Sequence, residues 1–184
     1  NIKVFSLLDD RDTLDNIHAS SEFTWLHIMN GYRKFNLATK KLDNWRSLEN
    51  EQMLQTRELY GKTIGIIGLG RIGKKIKKYA ETFGMNVLYC DPYVNNIYGK
   101  VNNIQELKDV DILSINCYLT NETENLISNG ILDDFKDGVV VINTSRGEVI
   151  DENYIKQLVI KKKIYYGCDV LRNEQNIDKL KKSK

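Results

Sequence analysis

Gly61-Lys62-Thr63-Ile64-Gly65-Ile66-Ile67-Gly68-Leu69-Gly70-Arg71-Ile72-Gly73 is the stretch that decides the fold. A short β-rich run, Thr63–Ile67, leads without a break into a Gly-x-Gly-x-x-Gly turn. An amphipathic segment then opens at about Arg71, with Ile72, Ile76, Tyr79, Ala80 and Phe83 on one stripe and Lys74, Lys75, Lys77 and Lys78 mostly on the other side. Gly84 follows where a helix C-cap belongs. Strand, glycine turn and helix in that order form the context in which this motif has a mechanism. Gly68 permits the tight turn, Gly70 leaves the backbone open to a close approach, and Gly73 lets the helix pack on the strand.

Outward from this unit the same alternation continues. Strands are expected at Lys3–Leu7, Thr63–Ile67, Asn86–Asp91, Asp111–Asn116, Val139–Asn143 and Ile164–Val170. Gly138-Val139-Val140-Val141-Ile142 is continuously apolar, as a strand covered on both faces should be. Helices are expected over Ser20–Phe35, Arg71–Phe83 and Asp151–Ile160. The first carries Phe23, Leu26, His27, Asn30 and Lys34 at helical spacing, with Ser20 or Ser21 as its N-cap. Residues 37–61 are polar and carry the weakest signal, and the lysine-rich end of the chain reads as a solvated tail. The expected fold is therefore α/β: a Rossmann-type, doubly wound parallel sheet with helices on both faces, forming one domain over residues 1–184.

Composition narrows the class further. The 184 residues are 41% hydrophobic and 28% charged, with a formal net charge of +2. That balance argues for neither nucleic acid nor an anionic membrane surface as partner. No apolar run approaches the roughly 20 residues of a membrane helix. Cys90, Cys117 and Cys168 are odd in number and each sits in an apolar run, which reads as buried reduced thiols in a cytoplasmic protein. His18 and His27 lack partners at ligand spacing, so no metal site is expected.

A helix N-terminus behind a glycine turn binds phosphate through its free N–H groups, here those around Gly70, Arg71 and Ile72, and through its dipole. Asp91 closes the next strand, and a carboxylate there accepts hydrogen bonds from a ribose while repelling a 2′-phosphate. The expected cofactor is NAD.

At this point the chain resembles a family. The segment Gly61–Gly73 with Phe83-Gly84-Met85 and Asp91-Pro92-Tyr93 looks like the D-isomer-specific 2-hydroxyacid dehydrogenases. So do Val141-Ile142-Asn143-Thr144-Ser145-Arg146-Gly147-Glu148-Val149-Ile150-Asp151-Glu152 and Gly167-Cys168-Asp169-Val170 with Glu174. Ser21-Glu22-Phe23-Thr24 is similar to the start of the family's long interdomain helix, with Phe23 in place of the usual His. The resemblance implies hydride transfer between NAD(H) and a small D-2-hydroxy or 2-keto acid. It makes Arg146 the arginine that binds the substrate carboxylate and polarises its keto oxygen, and Glu174 the partner of a catalytic histidine. Asp169 would lie near the nicotinamide, and Cys117, Thr123, Thr144 and Ser145 would border the cofactor. Tyr118 departs from the family's Pro. The family's catalytic histidine lies downstream of Glu174 in a segment this sequence does not contain. The resemblance therefore implies the cofactor domain of a longer enzyme, able to hold NADH without turning over substrate. It also implies a homodimer through the helix at Ser20–Phe35, with Trp25, Tyr32 and Trp45 buried either in that contact or in the domain's own core. The alternative function is a non-catalytic NAD(H)-sensing module of the corepressor type.

Overall fold

The structure is a computed structural model that describes residues 10–40, 47, 57–128 and 130–172. Among the described residues three helices come first: α1 (Arg11–Asp15), α2 (Ala19–Tyr32) and α3 (Phe35–Thr39). The strand–helix alternation then runs β1 (Thr63–Ile67), α4 (Arg71–Thr82), β2 (Asn86–Cys90), β3 (Lys100–Val101), β4 (Ile112–Ile115), β5 (Val139–Asn143), α5 (Glu152–Ile160) and β6 (Ile164–Cys168). Short 3-10 turns occupy Ile104–Leu107 and Gly147–Val149. The expected strand Lys3–Leu7 lies outside the described residues, as does Trp45.

The strands form one sheet in the order β3-β2-β1-β4-β5-β6, every pair parallel. This is the doubly wound arrangement expected, with the order reversing at β1. A strand buried on both faces should send alternate side chains into two separate cores, and β5 does so. Val139 and Val141 pack with Leu113, Phe135, Ile155 and Leu158 on the α5 side. Val140 and Ile142 pack with Ile28, Tyr32, Ile66, Ile76 and Ala80 under α2 and α4.

The boundaries moved where local chemistry overrode periodicity. Helix α5 begins one residue late because Asp151 caps it, accepting from the N–H groups of Asn153 and Tyr154. β3 went unseen because two residues carry no period. Helix α2 stops at Tyr32, and Lys34 takes a left-handed φ of 52° before α3 begins. Its N-cap is His18, not Ser20 or Ser21. The Ser21 hydroxyl donates to the His18 carbonyl instead of capping an N–H.

The buried face of α2 is the larger correction. Ser21, Thr24, Ile28 and Tyr32 point inward, while Phe23 and Leu26 are 44% and 59% exposed. Sorting by hydrophobicity chose the wrong face because two hydroxyl residues are inside, each with its polar atom bonded. On α4, Gly73, Ile76 and Ala80 are buried as expected. Phe83 is 45% exposed and lies against Trp25, with ring centroids 5.2 Å apart. Gly84 takes φ 71° directly after the helix, as a C-cap glycine should.

One charge ties the lower ends of the central strands together. Asp111, 7% exposed, accepts from the Thr63 N–H at 3.0 Å and from Lys136 Nζ at 2.5 Å. Burial alone would push this carboxyl up; the Lys136 ammonium and the Thr63 N–H outweigh it and leave it below the ordinary value of 3.8. Its contribution to stability is then present above pH 3.8 and is lost as pH falls through the lowered folded value. Asp111→Ala should cost about 1–3 kcal/mol at pH 7, since it strands the Thr63 N–H. In urea unfolding the gap to wild type should shrink by pH 3, and an unchanged gap there would refute this account.

Candidate cofactor site

The upper ends of β1, β2 and β4 meet at the glycine turn. Gly68 has φ 86°, and its N–H donates to the Cys90 carbonyl at 3.0 Å. A Cβ there would lie 2.8 Å from the Cys117 nitrogen and 2.9 Å from the Asn116 carbonyl carbon, so only glycine fits between β1 and the loop after β4. At Gly73 a Cβ would come within 2.2 Å of the Gly68 oxygen. The first turn of α4 therefore packs directly on the backbone of the loop it follows. Gly70 differs from both: nothing lies within 4 Å of a Cβ built on it. It is the N-cap of α4 and has no side chain to satisfy the helix N–H groups. An open, donor-rich surface at a positive helix end suits a diphosphate.

Asp91 stands beside this surface. Its Oδ2 accepts from the Leu69 N–H at 2.7 Å and its Oδ1 from the Tyr93 N–H at 2.8 Å. A carboxylate has about four acceptor sites, so these two bonds leave capacity for a ribose hydroxyl. The residues present thus fit a dinucleotide.

The other expected site residues divide into those the fold brings to this rim and those it uses otherwise. Cys117 is half-buried beside the glycine turn, and burial, with the Asp91 charge adding, pushes its thiol up to about 11. The Arg71 side chain turns away from the turn and donates to the carbonyls of Leu14 and Ile17, leaving its backbone N–H at the helix start. Ile72, in the first turn of α4, is half-buried and packs against the core that α2 and α4 cover. The Thr123 hydroxyl is taken up inside its own loop, donating to the Tyr118 carbonyl and accepting from the Thr120 N–H. Asp169 is exposed at the end of β6, and Glu174 lies outside the described residues.

The turn after β5 is built from within. Asn143, fully buried, accepts from the N–H and hydroxyl of Ser145 and donates to the Arg146 carbonyl. Thr144 meets Thr24 of α2, oxygen to oxygen, at 2.7 Å. Arg146 is exposed, with Nη1 donating to the Ser145 carbonyl. Asn143 and Thr24 stand in quoted motifs but, like Tyr166, whose hydroxyl reaches Asn143 and Cys168, carry no site role in the sequence reading. A polar residue ending an all-apolar strand was the available signal for Asn143. Among the described residues no group of three or more His, Cys, Asp or Glu converges on a metal position, and no helix is long and apolar enough to cross a membrane.

With this geometry in place, the family model described as "D-isomer specific 2-hydroxyacid dehydrogenase, NAD binding domain" matches residues 25–183. The chain belongs to this family. As a D-2-hydroxyacid dehydrogenase NAD-binding domain, it is 34% identical over 136 residues to a hydroxypyruvate reductase of Thermotoga maritima, covering 72% of this chain and 44% of that protein. It is 34% identical over 125 residues to the D-lactate dehydrogenase of Escherichia coli, covering 65% and 38%. The D-lactate dehydrogenase of Aquifex aeolicus, solved with NAD and lactic acid, superposes with a TM-score of 0.75 at 31% identity, over 90% of this chain and 52% of that one. The chain thus spans about half the length of the relatives it matches, or less.

The contrast between two glycines tests the site directly. Gly73→Ala should destabilise the domain by about 1–3 kcal/mol, because the new methyl group meets backbone. Gly70→Ala should leave thermal stability nearly unchanged while weakening NADH binding at least about tenfold, since only a ligand approaches there. Equal effects of the two substitutions on stability would contradict the close packing described. With its thiol pushed up to about 11, Cys117 is held in the protonated form at pH 8, so slow alkylation is expected, and labelling as fast as that of a free thiol would refute its burial.

Proposed function

We propose that the protein to which this domain belongs transfers a hydride between NAD(H) and a small D-2-hydroxy or 2-keto acid, and that the rim formed by the ends of β1, β2, β4 and β5 carries the cofactor half of that reaction. The observation that carries the reading is the open helix end at Gly70 beside the Asp91 carboxylate. Bound NAD(H) supplies or accepts the hydride; the chain's own residues bind and orient. The N–H groups at Gly70, Arg71, Ile72 and Gly73 hold the diphosphate, and Asp91 accepts from the adenine-side ribose. Cys117, Thr123, Thr144, Ser145 and Asp169 border the remaining half. The substrate-binding role of Arg146 is supported by its exposure just beyond the C-terminal end of β5, the edge of a parallel sheet at which ligands bind. Its planar guanidinium can hold a carboxylate and stabilise charge developing on a neighbouring oxygen. Glu174 keeps the role of orienting a histidine. The relatives reported above are reductases and dehydrogenases, and nothing favours the corepressor-type module.

A homodimer through α2 is supported by Phe23 and Leu26, exposed on its outer face. Tyr32 is buried within the domain and Trp25 packs on Tyr79 and Phe83, so neither supplies that contact. A cytoplasmic location is supported by three free, half-buried cysteines.

Calorimetric titration should give saturable NADH binding, with NADPH at least about tenfold weaker because its 2′-phosphate would face Asp91. Asp91→Ser should narrow that ratio. Absence of saturable NADH binding would overturn the reading.

A further inference from the structure

We infer that Thr24 of α2 is a positioning residue for the nicotinamide half of the bound cofactor, acting through Thr144. The inference rests on the cofactor reading above. Thr24 is 1% exposed, and its hydroxyl lies 2.7 Å from the Ser20 carbonyl and 2.7 Å from the Thr144 hydroxyl. A carbonyl can only accept, so the single Thr24 proton goes to Ser20. Thr144 must then donate into the Thr24 oxygen, which fixes the direction of the bond and holds the Thr144 side chain against α2.

The backbone on either side of that contact is held as well. Asn143 binds Ser145 and the Arg146 carbonyl from inside the sheet. Thr24 thus braces from the helix a turn that Asn143 braces from the strand. Gly31, about two turns further along α2, shows how close the helix lies: a Cβ there would be 3.1 Å from Val140 Cγ1. A helix seated this tightly passes a change in the Thr24 contact to Thr144 rather than absorbing it.

The sheet order says which part of the ligand would register that change. Asp91 follows β2 on one side of β1, and Thr144 follows β5 on the other, beyond β4. A dinucleotide lies across the switch point, with its diphosphate at the β1 turn. ADP therefore covers the β2 and β1 side, and only the nicotinamide half reaches over β4 and β5. Loss of the Thr24 hydroxyl should weaken NADH and spare ADP.

The experiment compares NADH and ADP affinities by calorimetry for the wild-type chain, Thr24→Val, Thr24→Ser and Thr144→Val, with thermal melts as a check on folding. Val keeps the shape and removes the hydroxyl; Ser keeps the hydroxyl and removes the methyl. Thr24→Val should lose about three- to tenfold in NADH affinity, the size expected for one hydrogen bond, with ADP affinity within twofold of wild type. Thr24→Ser should bind NADH like wild type even where its melting temperature falls. Thr144→Val reads the same bond from its other end and should show the same loss, with no added loss in the double variant. NADH binding unchanged in both Val variants would overturn the inference, as would parallel loss of NADH and ADP, or a Ser variant as weak as Val. A wild type that binds neither ligand would remove the cofactor reading itself, and the Thr24 role with it.

Discussion

The carbonyl oxygen of Gly68 and the α-carbon of Gly73 are pressed so close that a single methyl group could not stand between them. The rest of the site depends on this contact. It seats the first turn of α4 on the end of β1, which aims the uncapped N–H groups at Gly70 and beyond into the crevice. The opposite side of the same turn is equally constrained, since Gly68 backs onto Asn116 and Cys117. Two tight approaches, one to the helix and one to the loop after β4, hold the phosphate-facing surface with no side chain between.

Asp91 borders that surface and shows how one group could serve both structure and recognition. By accepting the Leu69 N–H it stops the glycine turn from swinging outward, and by accepting the Tyr93 N–H it turns the chain away after β2. A carboxylate is suited to both duties because its two oxygens accept in several directions at once. Preorganisation follows: the group that would meet the ribose is already held in place, so little ordering remains to oppose binding.

Helix α2 shows a different use of polar groups. Its inward face carries Ser21 toward Tyr79 of α4, Thr24 toward Thr144 after β5, and Ile28 and Tyr32 over the core. The Ser21 and Thr24 hydroxyls are tolerated there because each bonds to a carbonyl of its own helix or to a partner across the interface. Arg71 and Lys75 act similarly on the other side, donating to carbonyls of Leu14, Asp15 and Ile17 and so fastening the segment before α2 to α4. The cofactor-side helix and the N-terminal helices are thereby locked to one another as well as to the sheet.

The sequence by itself determined the strand–turn–helix unit, the parallel doubly wound sheet and the placement of Asp91 and Arg146 at strand ends. Those features are local: a glycine whose φ must be positive, a run apolar at every position, a residue one step beyond it. Only the tertiary structure decided which face of α2 is buried, because Ser21 and Thr24 are inside for reasons of hydrogen bonding that a hydrophobic pattern does not register. Likewise the Arg71 guanidinium serves carbonyls at Leu14 and Ile17, more than fifty residues earlier in the chain. Thr144 finds its partner 120 residues away. Periodicity reports on neighbours along one element; such pairings exist only once the sheet has brought distant segments together.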